Sequence, residues 1–112
     1  MSQIPVVFLG TPDFACSSLE ALLKSSNFKV VGVVSQPDRK SGRKMKVQPS
    51  AVKSLALERG LPVITPENVN APEVLEQLKQ WQAEAAVVVA FGQLMSQKFL
   101  DLFPQKVVNV HA

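Results

Sequence analysis

The sequence predicts an open parallel α/β sheet with helices packed on both faces. Short runs of β-branched residues alternate with segments whose apolar residues recur at helical spacing. Residues 85–90 are six consecutive apolar residues without alternation, as expected of a strand covered on both faces of a parallel sheet and marking the centre of the fold. The 112 residues, 46% of them hydrophobic, suffice for one modest core and no second one.

The elements follow in order. Residues 6–9 form a first strand closed by Gly10, and Thr11-Pro12 reads as an N-cap with proline at the first helical position. Ala15, Leu19, Leu22 and Leu23 mark the helix, which ends at Ser25-Ser26-Asn27, and residues 30–34 give a second strand. Residues 36–49 lose the apolar pattern, carry two prolines and one glycine, and read as a long basic loop. Ser50 can cap a second helix that turns its Val52, Leu55 and Ala56 inward and ends in a left-handed turn at Gly60. Residues 61–64 form a brief strand. Asn70 and Glu73 then suggest a capping box before Val74, Leu75, Leu78 and Trp81 on one helical face. After the strand at 85–90, Ser96 begins a short helix bearing Phe99, Leu100 and Phe103, Pro104 interrupts it, and residues 107–110 make a fifth strand.

This β-α-β-α-β-α-β-α-β order is Rossmann-like, with right-handed crossovers. If the strand order is 3-2-1-4-5, it reverses between the first and fourth strands, and ligands bind beyond the carboxyl ends there. The loops at Gly10-Thr11-Pro12 and Phe91-Gly92-Gln93 then flank the pocket, close to the end of the fifth strand.

Composition excludes several classes. A single cysteine, Cys16, leaves no internal disulfide framework and no Cys-cluster metal site, so no metal is expected and a reducing compartment is. Cys16 reads as a buried structural thiol. No apolar run approaches the ~18 residues that span a bilayer, and the start lacks the pattern of a secretion signal. A soluble, cytoplasmic protein is expected, with no membrane partner and no evident obligate protein partner.

Three constellations bear on function. Gly10-Thr11-Pro12-Asp13-Phe14 is either a structural turn or a ligand-contacting loop. It lacks the glycines of a dinucleotide fingerprint, and Asp13 would repel phosphate. Asn109 and His111 lie two apart on a strand and so share a face. They either merely end the strand or serve acyl chemistry, the amide donating to a carbonyl oxygen and an imidazolium steadying the charge that grows on it. Arg39, Lys40, Arg43, Lys44 and Lys46 crowd one segment against the single acid Asp38. That is either a solvated loop or a phosphate-contacting surface, and with no aromatic interleaved it is no base-stacking platform.

Read together, these residues resemble the methionyl-tRNA formyltransferase family. The resemblance is carried by Val7-Phe8-Leu9-Gly10-Thr11-Pro12-Asp13-Phe14-Ala15, Gln36-Pro37-Asp38-Arg39 with Gly42-Arg43, Gln48-Pro49-Ser50, Gly60-Leu61-Pro62-Val63, Val88-Val89-Ala90-Phe91-Gly92 and Asn109-Val110-His111-Ala112. Each motif is weak alone, and the ordered series is specific. The resemblance implies formyl transfer from 10-formyltetrahydrofolate to the methionine amino group of initiator methionyl-tRNA. It implies that Asn109 and His111 are two members of an Asn, His, Asp catalytic set. By the same resemblance Phe91, Gly92, Gln93, Leu94 and Met95 form folate-pocket wall, and the basic segment enters the tRNA acceptor arm, with Arg43 the most sensitive position.

The family continues past the histidine with a Ser-Leu-Leu-Pro stretch, the catalytic aspartate and a C-terminal tRNA-binding domain. Residues 1–112 are therefore expected to be the N-terminal portion of a catalytic domain whose sheet is incomplete at the C-terminus, and inactive alone. Two other readings stay open: a formyltransferase for another amine, such as a glycinamide ribonucleotide or an amino sugar nucleotide, and a non-catalytic RNA-binding module.

Overall fold

A computed structural model describes residues 3–41 and 46–110, with the side chains of Lys40, Ser41 and Lys46 left out. Five strands, β1 (Ile4–Gly10), β2 (Phe28–Val34), β5 (Val63–Ile64), β6 (Ala85–Val89) and β7 (Lys106–Val110), form one sheet in the order β5-β2-β1-β6-β7. Every pairing in it is parallel. Counting these strands alone, the order is the expected 3-2-1-4-5, with its reversal between β1 and β6. The central strand is β1, a correction to the reading that placed residues 85–90 at the centre.

Alternation along β1 divides the core. Val6 and Phe8 face one side with Ala15, Leu19, Val52 and Ala56, and Val7 and Leu9 face the other with Leu78 and Phe99. Helices α1 (Cys16–Lys24) and α2 (Ala51–Glu58) thus cover the first face, and α3 (Pro72–Gln80) and α4 (Gln97–Leu100) the second. Residues 85–90 were expected to be buried on both faces, but Ala85 and Val87 are only half-buried. They line an open apolar groove of ≈ 500 Å³ with Ile4, Phe28 and Val108, which no described helix covers.

A parallel bulge shapes β2. The register with β1 passes from Val6↔Val30 to Val7↔Gly32, leaving Val31 as the extra residue. Gly32 lies beneath Trp81, and a Cβ there would meet the indole at 2.3 Å.

Local signals fared unevenly. Ser50 caps α2 by accepting a hydrogen bond from the Lys53 backbone at 3.0 Å. Gly60, at φ +70°, ends that helix with Leu61 N–H bonded to Ala56 O and Gly60 N–H to Leu57 O, the paired arrangement of a Schellman turn. Ser96 caps α4 through Phe99 N–H. Thr11, however, caps nothing: a 3-10 turn over Asp13–Ala15 precedes α1, and Pro12 stands at its N-cap. No capping box forms at α3, whose N-cap is Ala71. In both cases the expected capping side chain is bound to a distant loop instead.

The segment read as a long loop contains an antiparallel hairpin, β3 (Arg39–Ser41) with β4 (Lys46–Gln48), paired Arg39↔Gln48 to Ser41↔Lys46. It forms a separate two-stranded sheet, and Val47 is 61% exposed. With no face to bury, its sequence need not alternate, so the pattern that announces a strand was missing. Cys16 is half-buried rather than buried, since it opens α1 at the rim of the core.

Candidate functional site

The carboxyl ends of β6 and β7 and the turn that follows β1 open onto a cleft of ≈ 470 Å³. Phe91, Gly92, Gln93, Leu94 and Met95 line it together with Asn109, Phe14 and Leu100. Asn109 reaches it because β7 pairs in parallel with β6, placing Asn109 opposite Val88, which also lines the cleft. Two of the constellations read from the sequence therefore meet in one cavity. His111 lies outside the described residues.

Residues 91–95 leave β6 in a conformation that neither a strand nor a helix stabilises. Ala90 and Gly92 have φ of 51° and 96°, the left-handed region that glycine enters without penalty. Side chains from three other loops hold this wall. Thr11 Oγ1 donates to Phe91 O at 2.8 Å and accepts from Gln36 N–H at 3.3 Å. Asn70 donates to Leu94 O and accepts from Ser96 N–H, both at 2.8 Å. Gln36 donates to Gly92 O at 3.0 Å and accepts from Gln93 Nε2 at 2.8 Å. Thr11 and Asn70, mistaken for helix caps, are thus parts of the site's scaffold. The sequence held one signal for this: amide and hydroxyl side chains at the carboxyl ends of β1, β2 and β5.

A second cleft of ≈ 250 Å³ lies on the other side of the Thr11-Pro12 turn, lined by Arg39, Gln48, Pro37, Pro49 and Ser50. It separates the hairpin from the start of α2. Asp38, at the hairpin's root, is clamped by Lys53 Nζ at 2.8 and 3.0 Å, and Ser50 and Ser35 hydrogen-bond through their hydroxyls. Of the five basic residues, Arg39 is exposed on β3. Lys40 and Lys46 lie on the hairpin strands with undescribed side chains, and Arg43 and Lys44 fall outside the described residues.

Near the cleft, the Cys16 thiol is pushed above its ordinary range by burial first, and then by the charges of Asp13 and Glu20. Both effects disfavour the thiolate, the nucleophilic form.

The formyl transferase family model matches residues 3–112. A methionyl-tRNA formyltransferase of Bdellovibrio bacteriovorus is 55% identical over 112 residues, covering 99% of this chain and 35% of that protein. One from Trichlorobacter lovleyi is 49% identical over 107 residues, covering 96% and 34%. The chain thus spans about a third of the length of these relatives. Among solved structures, glycinamide ribonucleotide transformylase 1 from Geobacillus kaustophilus superimposes with a TM-score of 0.68 at 16% identity, over 97% of this chain and 57% of that one. The match of the family model across residues 3–112 establishes that the chain belongs to the formyl transferase family.

Proposed function

We propose that this chain supplies the donor pocket and part of the catalytic apparatus for moving a formyl group from 10-formyltetrahydrofolate to the methionine amino group of initiator methionyl-tRNA. The observation that carries the reading is the cleft in which Asn109 shares a lining with residues 91–95. Phe91, Met95 and the exposed Leu94 line the cleft with apolar atoms and the backbone at 91–95 supplies hydrogen-bonding groups, a combination that suits a flat heterocycle such as a pterin. At the cleft's edge the Asn109 amide donates to the formyl oxygen, and the charge that develops there as the amine attacks is what such a donor stabilises. His111 would add positive charge to the same oxygen.

On this reading the basic segment of Arg39, Lys40, Arg43, Lys44 and Lys46 contacts the phosphates of the tRNA acceptor arm. The choice of methionyl-tRNA rests on relatives of that name at 43–55% identity. The solved glycinamide ribonucleotide enzyme, at 16%, speaks for the fold alone. As part of a translation-initiation enzyme, the chain would act in the cytoplasm. The 112 residues alone would not turn over, because the family's catalytic aspartate is not among the motifs they carry.

The test is a chimera in which residues 1–112 replace the matching third of the Bdellovibrio bacteriovorus relative. With 10-formyltetrahydrofolate it should formylate methionyl-tRNA and leave glycinamide ribonucleotide untouched. Transfer to glycinamide ribonucleotide in preference, or a folded chimera with no transfer at all, would reject the proposal. For the isolated 112 residues, tight tRNA binding that weakens steeply with salt would favour an RNA-binding module instead.

A further inference from the structure

The wall at residues 91–95 is held from outside, and one side chain does more of this than any other among those described. Gln36 bonds a wall carbonyl and a wall side chain at once: its Nε2 donates to Gly92 O and its Oε1 accepts from Gln93 Nε2. The carboxamide also fills the space beside the peptide it holds, since a Cβ on Gly92 would meet Gln36 Nε2 at 2.7 Å. Gln93 then passes the constraint on, donating to Pro66 O at 3.0 Å and accepting from Val69 N–H at 2.8 Å. The backbone N–H of Gln36 is itself fixed on Thr11 Oγ1, which binds the preceding wall carbonyl, that of Phe91. Without these bonds the wall would have several backbone arrangements open to it, because a glycine at φ 96° is conformationally free on its own.

We propose that Gln36 is a positioning residue for the one-carbon donor. Its carboxamide fixes the Gly92 peptide and the Gln93 side chain, so that the backbone of residues 91–95 meets the donor's heterocycle in a single arrangement. Gln36 is not among the residues that line the cleft. It acts through the wall by removing conformations that would otherwise have to be given up on binding. The inference rests on the donor pocket proposed above.

The experiment uses the chimera and two variants, Q36E and Q36A. The first keeps the side chain's size and an acceptor for Gln93 but sets a carboxylate oxygen against Gly92 O; the second removes both bonds. Each should raise the Kd for tetrahydrofolate and the KM for 10-formyltetrahydrofolate by about tenfold, the scale of one lost hydrogen bond plus an unmatched carbonyl. The KM for methionyl-tRNA should stay within about twofold of the parent's. A purely structural role would move both KM values together and lower the melting temperature in proportion. That result would overturn the inference, as would tetrahydrofolate binding by Q36E within about twofold of the parent's. If the unsubstituted chimera itself binds no tetrahydrofolate, the proposed function fails and this inference with it, an outcome distinct from variants that bind as well as their parent.

Discussion

Gly32→Ala is the most demanding test of the packing. The bulge at Val31 places Gly32 on the face that Trp81 covers, and a Cβ would approach indole carbons to 2.3, 2.4 and 2.6 Å. Ordinary contact begins near 3.4 Å, so ring and strand must separate by roughly 1 Å. A gap of that size forfeits about a quarter to a half of the dispersion energy of the atoms involved. Together with the strain of overpacking, the expected loss is about 2–3 kcal/mol. That is a large share of the ~5–15 kcal/mol that stabilises a typical domain. Trp81 is the only tryptophan in the sequence, so its fluorescence during urea unfolding reports the region directly. The midpoint should fall by about 0.7–3 M at the usual dependence of ~1–3 kcal/mol per M. In a Trp81→Leu background, which has neither tryptophan nor tyrosine and is therefore followed by circular dichroism, the same glycine substitution should cost under ~0.5 kcal/mol, because the obstructing ring is gone. A loss under ~0.5 kcal/mol with Trp81 present, or equal losses in the two backgrounds, would refute the reasoning.

Other predictions follow from the site and its supports. In the chimera, reversing Arg43 and Lys44 to Glu should raise the KM for methionyl-tRNA by at least about tenfold and flatten its dependence on salt, leaving tetrahydrofolate binding unchanged; titrations over a range of salt concentrations decide it. Ser50→Ala removes both the cap on Lys53 N–H and the bond to Ser35. It should cost about 1–2 kcal/mol by urea unfolding, and Ser50→Thr should recover much of that. Cys16 should react with iodoacetamide more slowly than free cysteine at pH 7, with a rate that climbs as the pH rises past the ordinary thiol range, because burial and two neighbouring carboxylates disfavour the thiolate. Alkylation as fast as that of the free amino acid would contradict that environment.

The strand order was legible because parallel strands buried by helices announce themselves as apolar runs, and short connections leave few topologies. The same logic misplaced the centre. Residues 85–90 form the most apolar run, yet β1 is the middle strand, and hydrophobicity measures coverage rather than position. Signals that act within a few residues, such as Ser50, Ser96 and Gly60, were read correctly because the capping geometry is local. Thr11 and Asn70 were misread for the converse reason. Their partners, Phe91 O and Leu94 O, are 80 and 24 residues away, and no local pattern records such a bond. The hairpin at Arg39–Ser41 and Lys46–Gln48 escaped because a two-stranded ribbon with no buried face carries no alternation. That the loop at residues 91–93 lies close to the end of the fifth strand was legible from the strand order, and the parallel pairing of β6 with β7 adds the register that puts Asn109 in the cleft.

The reading depends most on Asn109 acting on the formyl group rather than merely ending a strand. Its direct test is the single-turnover rate of the chimera carrying Asn109→Ala, measured with saturating 10-formyltetrahydrofolate and methionyl-tRNA. Loss of one preorganised donor to a developing oxyanion predicts a rate about 10²–10³ lower, with tetrahydrofolate affinity within about threefold of the parent's. A rate within about threefold of the parent's would contradict the account, whatever else the cleft binds.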